Sequence, residues 1–288
     1  MKKQIEKVIP QAARPGMVGD GFRVFNYIPG SVEQRRISLF LMLDFNAEYD
    51  FGPSNKIRGV DVHPHKGFET VTIAYKGSVA HHDSSGNSGV INPGDVQWMT
   101  AGAGILHKEY HEEEFSKRGG PFEMVQLWVN LPKKDKSTPA HYQAITASQM
   151  GKVELPDNGG VVNVIAGSMG DVKGPASTYS PVNLFDIKLK KGGKVVTHIP
   201  SAHNTALLMI NGSAEVNGDK IATHSFVLFK NDGEEISIRA EEDSVILLLS
   251  GEPINEPIAS YGPFVMNTQE EIYEAIQDFQ AGKFGVLN

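Results

Sequence analysis

The chain has 288 residues, of which 40% are hydrophobic and 21% are charged. This balance is typical of a globular protein with a sizeable core and excludes a disordered or fibrous chain. Its net charge of −7 argues against direct binding of a nucleic-acid backbone, which needs a basic face, and the absence of cysteine excludes disulfides and thiolate metal sites.

The opening residues do not predict a signal peptide, because the two lysines at positions 2 and 3 precede Gln and Glu instead of an apolar stretch. The longest apolar candidate, residues 245–249, is far shorter than the roughly 18 residues of a membrane span. We therefore expect a cytoplasmic protein that makes no membrane contact.

Short runs rich in Val, Ile, Thr and Phe recur between clusters of Gly, Pro, Asn and Asp, which predicts many strands. In chain order the runs are GFRVFNYI, ISLFLMLDF, TVTIAY, VQLWVNL, VNVIAG, LFDIKL, ALLMI, SFVLF and SVILLLS. A helix is predicted only near the carboxyl end of the chain. There Thr268 and Glu271 have the spacing of a capping box, and Gly282 has the position of a terminating glycine.

An internal repeat indicates two modules. The segment TVTIAYKGSVA at residues 70–80 is echoed 135 residues later by TALLMINGSAE at 205–215, with a strand and a Gly-Ser turn in common. We predict an all-β fold of two tandem β-barrel or jelly-roll modules with a carboxyl-terminal helix. The predicted boundaries are 1–131 for the first module, 132–181 for a bridging segment and 182–288 for the second module with its helix.

Six of the ten histidines lie between positions 63 and 111. Residues i and i+2 of a strand share a face, so His63 and His65 can point the same way, as can His107 and Glu109. If a barrel brings the two pairs together, three imidazoles and a carboxylate converge with coordination positions left open. Such a set suits Fe(II), Mn, Ni, Cu or Zn. At the repeat offset His63 corresponds to His198, but the second copy lacks the rest of the set.

The segments that carry these residues resemble the pirin family. The matching runs are HPHKGFETVT at 63–72, NPGDVQWMTAG at 92–102, GILHKE at 104–109, QLWVNL at 126–131 and GPFVMNT at 262–268. The resemblance implies a bicupin whose first barrel binds one divalent transition metal, with Fe as first choice, through His63, His65, His107 and Glu109. It implies a second barrel without metal.

The identity of the carboxylate remains open at this point. The general cupin pattern His-x-His-x₃-Glu nominates Glu69, whereas the pirin pattern nominates Glu109, which we prefer. Either one is a candidate catalytic base. Glu69 would then orient an imidazole or relay a proton, and a purely structural Glu69 is the alternative.

The resemblance also implies a function. It predicts a metal-dependent dioxygenase that takes dioxygen and a small aromatic substrate, a flavonol such as quercetin. The alternative hypothesis is a metal-responsive co-regulator that binds another protein. A metal-free sugar isomerase of the cupin class is disfavoured because the ligand set is intact.

Other polar and aromatic candidates receive simpler interpretations. Three residues before the turn at 84–87 are expected to be solvated, namely His81, His82 and Asp83. The alternative is that one of the two histidines reaches the mouth of the pocket. His111 heads the acidic run 112–114 and is expected in an exposed loop. Trp98 and Trp128 are expected in the core or in a pocket wall.

Overall fold

The computed structural model describes residues 1–287, and 52% of the chain is in strands. This confirms the predicted all-β class. The first thirteen strands are β1 (Ile5–Ile9), β2 (Gly16–Val18), β3 (Phe22–Ile28), β4 (Phe40–Phe51), β5 (Gly59–His65), β6 (Phe68–Lys76), β7 (Val79–Asp83), β8 (Ser88–Ile91), β9 (Val96–Thr100), β10 (Ile105–His111), β11 (Gly120–Asn130), β12 (His141–Ile145) and β13 (Gly151–Glu154).

The remaining strands are β14 (Gly160–Ala166), β15 (Ser168–Met169), β16 (Val172–Lys173), β17 (Val182–Leu189), β18 (Lys194–His198), β19 (Asn204–Asn211), β20 (Ala214–Val216), β21 (Asp219–Ile221), β22 (Phe226–Phe229), β23 (Glu235–Ala240), β24 (Ser244–Gly251), β25 (Ala259–Tyr261) and β26 (Phe264–Met266). The helices are α1 (Glu113–Arg118) and α2 (Gln269–Gln280), with short 3₁₀ turns at Lys133–Asp135 and Pro156–Asn158. Within residues 1–287, neither helix has the length and apolar character that crossing a bilayer requires.

The chain forms two compact units. The first unit comprises residues 14–35 and 40–146 together with the chain from Ile254 onward, and the second comprises 1–13, 36–39 and 147–253. The first unit has a seven-stranded sheet of order β12-β9-β6-β11-β4-β3-β2 and a four-stranded sheet of order β5-β10-β7-β8. The second has the corresponding orders β1-β22-β19-β24-β17-β14-β13 and β18-β23-β20-β21.

The two units repeat one topology. The echoed segments begin in β6 and β19, and each of these strands is third in its seven-stranded sheet. Similarly, β5 and β18 are the first strands of the two four-stranded sheets. The shared order confirms the internal repeat and the tandem β architecture predicted from the sequence.

The division of the chain differs from the predicted boundaries. Strand β1 pairs with β22, so the first thirteen residues complete the second unit, whereas α2 packs with β25 and β26 of the first unit. The predicted bridge at 132–181 is also not a separate linker, because β12 extends one large sheet and β13 extends the other. These exchanges depend on pairings between distant segments, for which local composition gives no signal.

The helix termini have clear chemical causes. The Thr268 hydroxyl accepts a hydrogen bond from the Glu271 backbone amide at 3.2 Å, and the Glu271 carboxylate accepts from the Thr268 amide at 3.0 Å, which confirms the predicted capping box. Helix α1 was not predicted. It begins within the acidic run, where the Glu112 carboxylate caps it by accepting from the amides of Glu114 and Phe115.

The interiors of the two units differ in polarity. The barrel of the second unit is filled by a cluster of buried apolar side chains that includes Val164, Phe185, Leu207 and Leu248. His198, the counterpart of His63, is on the exposed side of β18. The first unit instead has several buried polar side chains between its two sheets, among them Asn46, Thr72 and Glu109.

Candidate metal centre

Three predicted histidines meet on the four-stranded sheet of the first unit. His63 on β5 and His107 on β10 are direct antiparallel neighbours, and His65 shares the face of His63 because it is two residues further along β5. One ligand nitrogen from each ring lies within 4.8 Å of the other two. His65 and His107 are buried, and His63 is half-buried. The structure therefore brings the three predicted imidazoles to one point.

The ring nitrogens of this group fit a metal ion. Burial lowers the pKa of His65 and of His107 well below the usual range, and the neighbouring histidines lower both further, which favours the neutral form of these two rings. Among the described residues, neither nitrogen of His107 has a hydrogen-bond partner, nor does Nδ1 of His65. Buried polar atoms are rarely left unpaired, and neutral imidazole is a common metal ligand.

The backbone orients the remaining ring nitrogens. Nδ1 of His63 lies 2.8 Å from the carbonyl oxygen of Asp61, which as an acceptor places the ring proton on Nδ1 and leaves Nε2 free for a metal. The ring of His65 forms a hydrogen bond with the backbone carbonyl of Pro263. Such contacts fix ring orientation before a metal binds.

The turn after His65 is held by a buried lysine. Lys136 Nζ donates to the carbonyl oxygens of Gly67 and Val265 at 2.8 and 2.9 Å and to Asn130 Oδ1 at 2.7 Å. Gly67 has φ +88°, and a Cβ there would lie 2.0 Å from the Val265 carbonyl oxygen. Only glycine fits this close approach, which fixes the end of the ligand strand β5.

Glu109 lies beside the histidines, two residues after His107 on the same strand. Its Oε1 accepts from Thr72 Oγ1 at 3.1 Å and its Oε2 accepts from Gln126 Nε2 at 2.7 Å. Burial raises its pKa, while His63 and these two hydrogen bonds oppose that rise. The carboxylate of one sheet is thus held by side chains of the other. Thr72 and Gln126 were not predicted, because contacts between facing sheets have no local sequence signal.

Glu69 is not part of this group. Side chains alternate along β6, so Glu69 faces the side of the sheet opposite to Thr72, which contacts Glu109. Its Oε1 accepts from Thr100 Oγ1 at 2.7 Å on the neighbouring strand β9. The odd spacing between residues 69 and 72 is the physical reason that only one of the two positions faces the histidines. This placement favours the structural interpretation of Glu69.

The buried Glu69 carboxyl should make the stability of the protein depend on pH. Burial raises its pKa from 4.5 to about 7, although the Thr100 hydrogen bond opposes the rise. Between these two pKa values the folded state holds a proton that the unfolded state releases. The stability contributed by this buried acid is therefore fully present below pH 4.5 and is lost as the pH rises through about 7. The loss approaches about 3 kcal/mol.

The measurement is the free energy of unfolding of chelator-treated protein between pH 4 and 8. We expect Glu69→Gln, which resembles the protonated acid, to remove this decline and to exceed the wild type in stability at pH 8. If the free energies of unfolding of the two proteins had the same pH dependence, burial would not raise the pKa of Glu69 and this prediction would be wrong.

The histidine group opens into a cavity of about 350 Å³ between the two sheets. Its walls are largely apolar, and Trp128 lies edge-on to His65 with ring centroids 5.2 Å apart, which agrees with its predicted place in a pocket wall. The apolar lining residues are Val18, Phe22, Val24, Met42, Val60, Met124, Trp128 and Pro263. The other polar lining residues, besides the candidate ligands, are Asp44, Asn46 and Gln126. The cavity suits an apolar ring system with a few polar groups.

Two histidines expected in solvent are buried, which corrects the sequence interpretation. His81 on β7 stacks on Tyr142 at 4.5 Å, and His111 lies on the same face of β10 as His107 and stacks on Phe122 at 4.7 Å. Asp83 is also buried and caps the following turn, whereas His82 is partly buried and contacts Tyr110. Strand alternation directs His81 and His111 inward, although their neighbours in sequence are polar.

Comparison with known proteins gives one family for both units. Residues 21–129 match the family model described as Pirin, and residues 184–285 match the Pirin C-terminal cupin domain. A Pseudomonas aeruginosa protein provisionally named quercetin 2,3-dioxygenase is 47% identical and covers 93% of each chain. Pirin of Mus musculus is 38% identical over 93% of this chain and 89% of its own. A crystal structure of quercetin 2,3-dioxygenase from Acinetobacter baumannii has a TM-score of 0.93, 48% identity and 100% coverage of both chains.

Proposed function

Because the chain belongs to the pirin family, we propose that it is a metal-dependent dioxygenase of the cupin type that cleaves a flavonol such as quercetin. The observation that supports this most directly is the group of three closely spaced imidazoles, which lies with Glu109 beside a largely apolar cavity. The likeness to the Acinetobacter baumannii quercetin 2,3-dioxygenase over the whole chain supports the substrate class.

His63, His65, His107 and Glu109 would hold the metal. Three nitrogens and one oxygen suit Fe, the first choice, and also Mn, Ni, Cu or Zn, between which the donor set does not discriminate. When bound, a divalent metal supplies a Lewis acid that makes a substrate hydroxyl more acidic.

Glu109 would accept the proton of that hydroxyl. Its carboxylate is held by Thr72 and Gln126, so it does not need to reorient to receive the proton. The apolar walls exclude water and pack against the aromatic rings of the substrate. Loss of the proton leaves an electron-rich anion that can react with dioxygen.

Oxygen uptake with quercetin tests this proposal. Metal-free protein would be reconstituted separately with Fe, Mn, Ni, Cu and Zn, and the bound metal determined for each sample. We expect many turnovers per chain, at a rate proportional to bound metal for at least one of the five. A response that stops at one equivalent for every metal would contradict the enzyme and would favour the metal-responsive protein-binding alternative.

A further inference from the structure

Asn46 is a buried amide in the wall of the cavity, and it has no protein partner among residues 1–287. It lies on β4, is 1% exposed and lines the same cavity as His63 and Glu109. Within the described part of the chain, neither Nδ2 nor Oδ1 of Asn46 has a hydrogen-bond partner. A buried amide that could donate and accept is rarely left unpaired in a native protein, so its position in the cavity wall calls for a polar partner from outside the chain.

Asp44 adds a second polar group to this wall. It is two residues before Asn46 and therefore shares its face of β4. Asn26 Nδ2 donates to Asp44 Oδ1 at 2.6 Å, which fixes the side chain. Burial raises the pKa of Asp44, although the Asn26 hydrogen bond opposes the rise. The Asp44 carboxyl thus places a second hydrogen-bonding group beside Asn46 in the cavity wall.

The strand register places Asn46 one step further from the candidate metal centre than Asp44. Gln126, which holds Glu109, is opposite Asp44 across β11 and β4, and Met124 is opposite Asn46. Asn46 is thus one strand across and two residues along from Gln126, a backbone separation of roughly 8 Å from standard sheet spacings. A ligand that extends from Glu109 to Asn46 would therefore pack an apolar part against Met124 and present a polar group to Asn46.

We propose that Asn46, assisted by Asp44, hydrogen-bonds a hydroxyl group at the end of the substrate remote from the histidines. The two side chains would thereby select polyhydroxylated aromatic substrates over those that lack the distal hydroxyl. This inference rests on the proposed function, because it assigns a specificity subsite in the same cavity.

Two flavonols test the subsite. Quercetin and 3-hydroxyflavone share the vicinal hydroxyl and carbonyl groups, but 3-hydroxyflavone lacks the hydroxyls on the outer rings. Binding to metal-loaded protein would be measured by the absorbance change of the flavonol, and turnover by oxygen uptake. For Asn46→Leu we expect quercetin affinity to fall about tenfold to a hundredfold, the effect of losing a hydrogen bond to a buried polar group, with 3-hydroxyflavone affinity changing less than about threefold.

Met124→Leu is the matched control, since it changes the wall opposite Asn46 without removing a polar group. It should alter the affinities for both flavonols by the same factor. Asn46→Leu should also melt at or above the wild-type temperature without ligand, because it removes an unpaired buried amide. If Asn46→Leu folds poorly, Asn46→Ala should show the same selective loss of quercetin.

The outcomes separate this inference from the proposed function. Quercetin turnover with unchanged discrimination in both Asn46 variants would overturn the subsite and leave the dioxygenase standing. Selective quercetin binding that the Asn46 variants abolish, without turnover by any metal form, would support the subsite and contradict the dioxygenase. Equal affinity of the wild type for both flavonols would also overturn the subsite.

Discussion

Replacing His63 and His107 together by alanine should reduce bound metal from roughly one equivalent per chain to background, since a site of this kind needs at least three protein ligands. The two rings are direct neighbours across β5 and β10, and their ligand nitrogens belong to the group that lies within 4.8 Å. Removing both leaves one imidazole and Glu109, too few to retain an ion through dialysis. Flavonol oxidation should be lost with the metal.

Elemental analysis after reconstitution measures this effect, and thermal unfolding provides a second measurement. Metal that binds only the folded state should raise the melting temperature of the wild type and not that of the double variant. His82→Ala is a suitable control, because His82 is on the same four-stranded sheet but alternates with the inward-facing His81 and contacts Tyr110. Unchanged metal content in the double variant would show that the ion binds elsewhere.

The convergence of the three histidines could be predicted from the sequence because it depends largely on local geometry. His63 with His65, and His107 with Glu109, are i and i+2 pairs, and a strand places such pairs on one face wherever it lies in the fold. The repeat at an offset of 135 residues similarly predicts the second unit, since equivalent strands such as β6 and β19 retain their spacing and turn.

What the sequence does not predict depends on pairings between distant segments. Thr72 and Gln126 hold Glu109 across the space between two sheets, and their own neighbours in sequence give no sign of it. Asn46 belongs to a strand whose other inward side chains are both polar and apolar. That its amide has no hydrogen-bond partner among the described residues is therefore evident only from the fold. The exchange of β1 into the second unit has the same cause.

Glu69 and Glu109 show most clearly which features of the site cannot be predicted from the sequence. Both residues are at positions that a cupin pattern nominates, and both are buried carboxyls with raised pKa values. The relative orientation of Glu69 and Thr72 follows from their odd spacing, but only the fold reveals that Thr72 faces the histidines. The contact between Thr72 and Glu109 therefore distinguishes the two acids.

Glu109→Gln should retain the fold and lose turnover per bound metal by roughly a hundredfold to ten-thousandfold, the usual contribution of a positioned base. Glutamine has nearly the same shape, and the Gln126 amide can rotate to present its oxygen, so both supporting contacts can be kept. The substituted amide cannot accept the substrate proton. The rate must be divided by measured metal content, because Glu109 is also a proposed ligand and its replacement can lower occupancy.

Comparison with Glu69→Gln distinguishes a catalytic base from a carboxyl group that is only buried. Since Glu69 faces away from the histidines and contacts Thr100, we expect this variant to keep the wild-type rate per metal while changing the pH dependence of stability. Normal turnover in Glu109→Gln would show that Glu109 is not the base. A comparable loss in both variants would mean that a buried negative charge, and not proton transfer at one carboxylate, determines the rate.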